Sequence, residues 1–255
     1  MHICHAYESQ LRYCLRIIAV AFRTPLLNFK VGFATIVNMT AFVGIPAFGQ
    51  GFVVFAWALW WIDALVSLLV GIGVPFAMFN YHVQTLEAMN GAWLLPVVSP
   101  IVSSATGGII AQYLPPSHAR LTLVCSYILW GCGFPIAMLV LALYFHRLAV
   151  HHLPPRAAIV SVFLPLGPCG QGSFALLQFS KVIRQLAMET GIGLGNGAMY
   201  GQATQIRMAD AIYAVSIPIA LVIWGIGLFW LVIAVGSIIK IGFSEDRFPF
   251  NMGWW

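Results

Sequence analysis

The chain has 255 residues, of which 61% are hydrophobic and only 7% are charged, and its mean hydropathy is +0.92. About a quarter of the residues of a soluble domain are charged, so this composition excludes a soluble globular protein. The net charge of +5 comes from scattered basic residues without a long basic run, which argues against a nucleic-acid partner. The composition predicts an all-α polytopic membrane protein whose partner is the lipid bilayer.

Six apolar stretches are long enough to cross a bilayer, which takes about twenty helical residues. The predicted spans are residues 31–48, 52–79, 92–113, 121–145, 157–179 and 211–239. The first, third and fifth carry prolines, glycines and small polar residues, whereas the second, fourth and sixth are longer and more apolar, with one proline each. This alternation predicts three helical hairpins, each made of a pore-type helix and an outer helix, around one axis.

Three parts of the chain follow from these spans. Residues 1–30 mix basic and apolar residues and predict a cytoplasmic or juxtamembrane remnant of another hairpin, and residues 31–243 form the transmembrane domain. Residues 244–255 predict a loop and the truncated start of a further pore helix. Of the 12 Lys and Arg residues, eight fall on the N-terminal side of the spans and four on the other side, which predicts a cytoplasmic N-terminus.

The third span carries a stripe of small and polar residues along one helical face. The stripe and its flanks comprise Pro96, Ser99, Pro100, Ser103, Thr106 and Gly107. Each proline frees a carbonyl group, and exposed backbone is tolerated at membrane depth only against protein or in a water-filled cavity. We interpret the span as a kinked helix with a polar side facing a cavity. Close helix packing, which small residues also permit, is the alternative.

The first and fifth spans carry similar faces. Their predicted pore-lining residues are Thr35, Asn38, Ser161, Pro165, Gly167, Pro168 and Gln171. None of the three pore-type spans contains Asp or Glu. Cation pathways usually carry carboxylates, whereas anion pathways use hydrogen-bond donors and positive potential. The pattern favours transport of a small inorganic or carboxylate anion, with packing in an unrelated bundle as the alternative.

Asp63 is the one acidic residue inside a predicted span. A carboxylate within the membrane suggests a function such as proton coupling, but Asp63 follows Trp60 and Trp61 on an outer-type helix. A structural hydrogen bond to a neighbouring helix is therefore the favoured interpretation. No catalytic constellation or metal-ligand spacing is apparent, so we predict neither an enzyme, nor a cofactor, nor a metal site.

Several segments resemble one family of anion transporters. They are GFATIVNM at 32–39, WALWWIDALVS at 57–67, AWLLPVVSPIVSSATGG at 92–108, SYILWGCGFPIAMLVLALYFHRL at 126–148, LPPRAAIVSVFLPLGPCGQGSFALLQ at 153–178 and FPFNMGWW at 248–255. The chain resembles the tellurite-resistance/dicarboxylate transporter family, which includes slow anion channels, and within it the fungal sulfite efflux pumps of the plasma membrane.

The resemblance implies ten transmembrane helices in five hairpins around a central pore, of which six full helices are expected here, and assembly as a trimer. It also implies pore roles for the matching residues Pro96, Ser99, Pro100, Ser103, Pro165, Gly167 and Pro168. The expected function is efflux of sulfite, with transport of C4-dicarboxylates such as malate as the alternative. Because a phenylalanine that closes the family's pore lies beyond residue 255, a non-transporting truncated paralogue that joins full-length subunits is a third possibility.

Overall fold

The computed structural model describes residues 25–81, 85–194 and 201–242. The helices are α1 (Pro25–Met39), α2 (Ile45–Phe48), α3 (Gln50–Tyr81), α4 (Leu94–Ala111), α5 (Pro116–His151), α6 (Leu166–Thr190) and α7 (Gln202–Gly242). A π-helical turn joins α1 to α2 at Thr40–Gly44, and 3₁₀ turns precede α4 at Gly91–Trp93 and α6 at Arg156–Phe163.

Within these ranges, six helical segments are long and apolar enough to cross a membrane, and no strand occurs. The predicted all-α polytopic fold is therefore confirmed. The helices extend past the apolar stretches: α6 ends at Thr190 instead of 179, and α7 begins at Gln202 instead of 211. Hydropathy marks the part of a helix that suits lipid, while polar residues of good helix propensity continue the same hydrogen-bond ladder beyond it. Most of the predicted terminal segments, residues 1–24 and 243–255, lie outside the described residues.

The prolines act differently from one helix to another. Pro75, Pro100, Pro135 and Pro218 all lie inside continuous helices. Pro46 instead follows the π-helical turn, where the Ile45 N–H donates to the Thr40 carbonyl, and Pro165 stands at the junction between a 3₁₀ turn and α6. The ladder therefore changes type beside Pro46 and Pro165 in the first and fifth spans, whereas in the third span the α-helix continues through Pro100.

Helix α4 lies at the centre of the described structure. It contacts α1, α3, α5 and α6, and every residue from Ser99 to Ala111 is buried. Helix α7 packs along α6, while α3, α5 and α7 keep long apolar surfaces exposed. We call the helices of the first, third and fifth spans (α1, α4 and α6) the inner row and α3, α5 and α7 the outer row. Burial is greatest for the third span, at 89%, whereas the first span is 28% buried, the same as the last.

The hairpin connections give the two rows opposite directions. The inner helices all begin at one end of the bundle, and the outer helices all end there. At this end the Gly91 N–H, at the start of the third span, donates to the Ser161 hydroxyl of the fifth, at 3.3 Å. Arg147 of α5 lies at the same end, so we call it the Arg147 end. The partial positive charges of the inner helix N-termini are therefore gathered at one mouth of the bundle.

Candidate functional site

A buried polar contact joins α3 to α4 in the middle of the bundle. The Ser103 hydroxyl donates to the Asp63 carboxylate and also lies 3.3 Å from the Asp63 carbonyl oxygen. The Trp60 indole N–H donates to the Ser103 carbonyl at 3.0 Å. All three residues are fully buried. This is the interhelical hydrogen bond that the sequence suggested for Asp63 as the alternative to proton coupling.

Glycine makes this contact possible. A Cβ at Gly107 would lie 2.1 Å from the Ser126 hydroxyl oxygen of α5 and 2.7 Å from the Trp60 ring of α3. A Cβ at Gly71 of α3 would lie 2.6 Å from the Pro100 ring. Neither position has room for a side chain, so the helices approach through their backbones.

The face of α4 that points toward α3 therefore includes four predicted lining residues: Pro96, Pro100, Ser103 and Gly107. They lie in a tight contact between α4 and α3, while the pore-lining role of the stripe stays a prediction. Ser103 does not share an open face with Ser99 and Thr106, because its hydroxyl is bound to Asp63. The packing alternative describes these four positions.

Other sides of α4 meet α5 and α6. A Cβ at Gly133 of α5 would lie 2.7 Å from Ile101, and the Gln178 amide of α6 donates to the Gly108 carbonyl at 3.3 Å. The remaining sector of α4 carries Leu95, Ser99, Val102 and Thr106 at i, i+4, i+7 and i+11, and it is also enclosed, since α1 packs against α4 as well. Ser99 is 2% exposed and Thr106 is 0% exposed. The Thr106 hydroxyl donates to the Val102 carbonyl of its own helix.

The predicted residues of the other inner helices lie in less enclosed places. Thr35 is exposed and donates to the Val31 carbonyl. Asn38 is half-buried, and its Oδ1 atom is buried without a hydrogen-bond partner. Ser161 is half-buried beside Gly91. The remaining four lie near the start of α6: Pro165 and Pro168 are buried, Gly167 is half-buried and Gln171 is exposed.

Three residues outside the predicted pore lining prove important. Trp60 and Gln178 each donate to a carbonyl of α4, and Arg147 is a buried cation at the end of α5. For Trp60 the available signal was its place one helical turn before Asp63. Gln178 gave no comparable signal, because a Gln near the end of an apolar span usually faces water. The run FHRLAVHHLPPR around Arg147 suggests a basic loop that attracts anions or lipid headgroups, whereas the structure buries Arg147 within α5.

The inner helices are almost free of acidic residues. In α1, α4 and α6 the only carboxylate side chain belongs to Glu189, which lies at the far end of α6 from Arg147. Small polar groups and helix N-termini are therefore what the inner row offers to a solute. This chemistry suits an anion better than a cation.

Comparison with known proteins decides the family. Residues 22–255 match the SLAC1 family model, described as a voltage-dependent anion channel. The chain belongs to the SLAC1 family. It is 41% identical over 252 residues to the sulfite efflux pump SSU1 of Arthroderma benhamiae, covering 96% of this chain and 63% of that protein. It is 42% identical over 229 residues to SSU1 of Arthroderma otae, covering 89% and 57%.

A more distant SLAC1-family relative is the malic acid transport protein of Schizosaccharomyces pombe, 23% identical over 221 residues, which cover 87% of this chain and 48% of that protein. The chain thus spans less than two thirds of the length of these relatives. No solved structure matches. The resemblance stated from the sequence segments is confirmed, and the names of the family and its members are those of channels and transporters.

Proposed function

We propose that this SLAC1-family protein exports sulfite across the plasma membrane. The observation that carries the proposal is the inner row of helices: all begin at one end, and within their apolar spans they carry no carboxylate. Parallel N-termini and donor groups favour a negative solute. The similarity to fungal proteins named as sulfite efflux pumps supports sulfite as that solute.

In this proposal the path runs along the sector of α4 that faces neither α3 nor α5. Ser99 and Thr106 lie along it, with Leu95 and Val102 on the same side; the Thr106 hydroxyl donates to the Val102 carbonyl. Asn38 of α1 and Ser161 at the start of the fifth span belong to its walls, because they carry polar groups on the adjoining inner helices. Another face of α4 holds this helix against α3 through Pro96, Pro100, Ser103 and Gly107.

Asp63 has a structural part in this scheme. Its carboxylate accepts from Ser103 at the α3–α4 contact, and the path lies on another side of α4. Proton coupling through Asp63 is therefore not needed for the proposed transport. Assembly as a trimer and a cytoplasmic N-terminus also belong to the proposal, and rest on the family resemblance and on the distribution of Lys and Arg.

Efflux from loaded cells tests the function. The protein, with any flanking sequence its gene encodes, is expressed in fungal cells that lack their own sulfite exporter and are loaded with radiolabelled sulfite and malate. We expect faster loss of sulfite. Loss of malate alone would replace sulfite with the malate candidate, which the similarity to the malic acid transport protein favours. Loss of neither anion would contradict both.

Two tryptophan variants of equal size test the path in the same cells. Ser99→Trp fills the proposed sector and should abolish efflux, whereas Leu139→Trp, at a position 63% exposed on the outer surface of α5, should leave it unchanged. Membrane abundance of each variant is measured by immunoblot.

Cysteine labelling tests the path without a bulky side chain. In a background lacking the native cysteines, Ser99→Cys and Thr106→Cys should react with a small water-soluble thiol reagent. Ser103→Cys and Ser104→Cys, at the same depth on other faces, should stay unlabelled. Labelling of the second pair but not the first would place the path elsewhere on α4.

A further inference from the structure

Arg147 is a buried cation near the C-terminus of α5. It is 3% exposed. Its guanidinium donates to the His152 carbonyl at 2.6 Å and to the Glu87 carbonyl at 3.0 Å. The Nε atom is also buried, and no hydrogen bond reaches it. His152 has a φ of +60°, so the chain turns out of α5 at the residue whose carbonyl Arg147 binds.

No carboxylate of the described residues pairs with Arg147. Both of its partners are backbone carbonyls, and the side chain of Glu87 itself is exposed. Carbonyl groups solvate the guanidinium but do not cancel its charge. A buried charge that is not cancelled keeps a long-range field, because little water is present to screen it.

This charge lies at the Arg147 end, where the inner helices begin. The outer helices end there, and each exposes carbonyl groups equivalent to about half a negative charge. Arg147 binds one carbonyl group just beyond the last turn of α5 and another in the loop that leads to Gly91 and α4. Its positive charge therefore opposes the negative end of α5 and adds to that of the N-termini of α4 and the fifth span at this mouth.

We propose that Arg147 is a specificity-determining residue: its fixed positive charge makes the Arg147 end selective for anions and concentrates them there before they enter the path. The inference rests on the proposed function, because it concerns the same path, but it names a different determinant. Arg147 acts at a distance through its field and does not contact the anion. The ligand class is a small oxyanion, of which sulfite is the probe.

The experiment measures uptake or release of sulfite by liposomes that contain the protein, at a series of ionic strengths. Arg147→Gln removes the charge but keeps hydrogen-bond donors, and Arg147→Lys keeps the charge. Arg184→Gln is the matched control, because it removes an arginine that is 46% exposed and paired with Asp210 at the opposite end of the bundle. Protein content of the liposomes is measured for each variant.

At low salt we expect Arg147→Gln to raise the half-saturating sulfite concentration about tenfold, in line with electrostatic concentration of charged substrates. This difference should shrink at high salt, since salt screens the field. Arg147→Lys should stay close to the wild type, and Arg184→Gln should not differ from it.

A purely structural role has a different signature, which would overturn the inference: Arg147→Gln and Arg147→Lys would lower the maximal rate alike, at every salt concentration, with the half-saturating concentration unchanged. If Arg147→Gln does not enter the liposomes, the salt dependence of half-saturation in the wild type and in Arg147→Lys still tests the inference. Half-saturation must then rise several-fold with salt in both proteins, and a value independent of salt overturns the inference. Absence of sulfite transport by the wild type contradicts the proposed function instead.

Discussion

Asp63 and Arg147 are both buried charged residues on outer helices, yet their surroundings differ. Asp63 lies in the middle of the bundle and accepts from a side chain on the central helix. Arg147 lies at one end and, among the described residues, donates only to backbone carbonyls of the connecting segments. Asp63 holds α3 against α4. Arg147 holds the segments that connect the helices, and the electrostatic field of its charge is retained.

The comparison shows that burial of a charge does not by itself identify a transport residue. Position along the bundle and the nature of the partner decide what the charge does. A carboxylate held by an interhelical hydrogen bond stabilises packing, while a cation held by carbonyl groups at a mouth acts on the potential that an approaching ion meets. Four sets of variants test this difference, in order of decreasing expected loss of stability.

Asp63→Ala should have the largest effect on stability. It removes the acceptor of the Ser103 hydroxyl and leaves that group buried. We expect a loss of about 2–3 kcal/mol in the free energy of unfolding, as for a buried hydrogen bond to a charged group. Thermal unfolding in detergent, followed by size-exclusion chromatography, measures the loss. Asp210→Asn, in an exposed pair with Arg184, is the control and should change little.

Gly71→Ala and Gly73→Ala form a matched pair on α3. A Cβ at Gly71 meets the Pro100 ring at 2.6 Å, whereas nothing lies within 4 Å of one at Gly73. Overpacking at Gly71 should cost about 1–3 kcal/mol, and Gly73→Ala should stabilise the helix by up to about 1 kcal/mol. Denaturation in the same detergent compares the two. Equal stability of both variants would contradict the tight α3–α4 contact.

Trp60→Phe tests the second hydrogen bond of the central contact. The indole N–H is lost while most of the ring remains, so the expected cost is about 1 kcal/mol. Thermal unfolding gives the magnitude. A double variant with Asp63→Ala then shows whether the two bonds act as a unit, and costs that simply add would argue against coupling through Ser103.

Ser161→Ala should have the smallest effect. The Gly91 N–H loses its acceptor at the Arg147 end, but the bond is 3.3 Å long and half-exposed, so less than about 1 kcal/mol is at stake. Unfolding measurements should find stability close to that of the wild type. A loss of unfolding free energy as large as that of Asp63→Ala would mean that contacts at the Arg147 end stabilise the fold as much as those at the centre. The contrast between the two regions would then not hold.

Much of this architecture follows from the chain alone. The six apolar stretches identify the spans, and the regular alternation of proline- and glycine-marked spans with longer apolar ones separates inner from outer helices. The family is also recognisable, because runs such as AWLLPVVSPIVSSATGG and LPLGPCGQG combine residue types that single helices seldom share. These features are local, so a linear pattern is enough to reveal them.

The sequence does not show what each face of α4 contacts. Helical periodicity correctly groups Pro96, Pro100, Ser103 and Gly107 near one another, but the pattern is the same for a cavity wall and for a close contact. Only the position of α3 decides, because Trp60 and Asp63 reach Ser103 from forty or more residues away in sequence.

The membrane spans, their two classes and the family can be identified from the residue pattern, since apolar length and composition set what a bilayer accepts. The packing of the helices establishes which polar face of α4 meets α3 and that Arg147 is buried at the mouth. The physical reason is that a hydroxyl, a glycine or a guanidinium has no fixed role until a neighbouring helix supplies or denies it a partner.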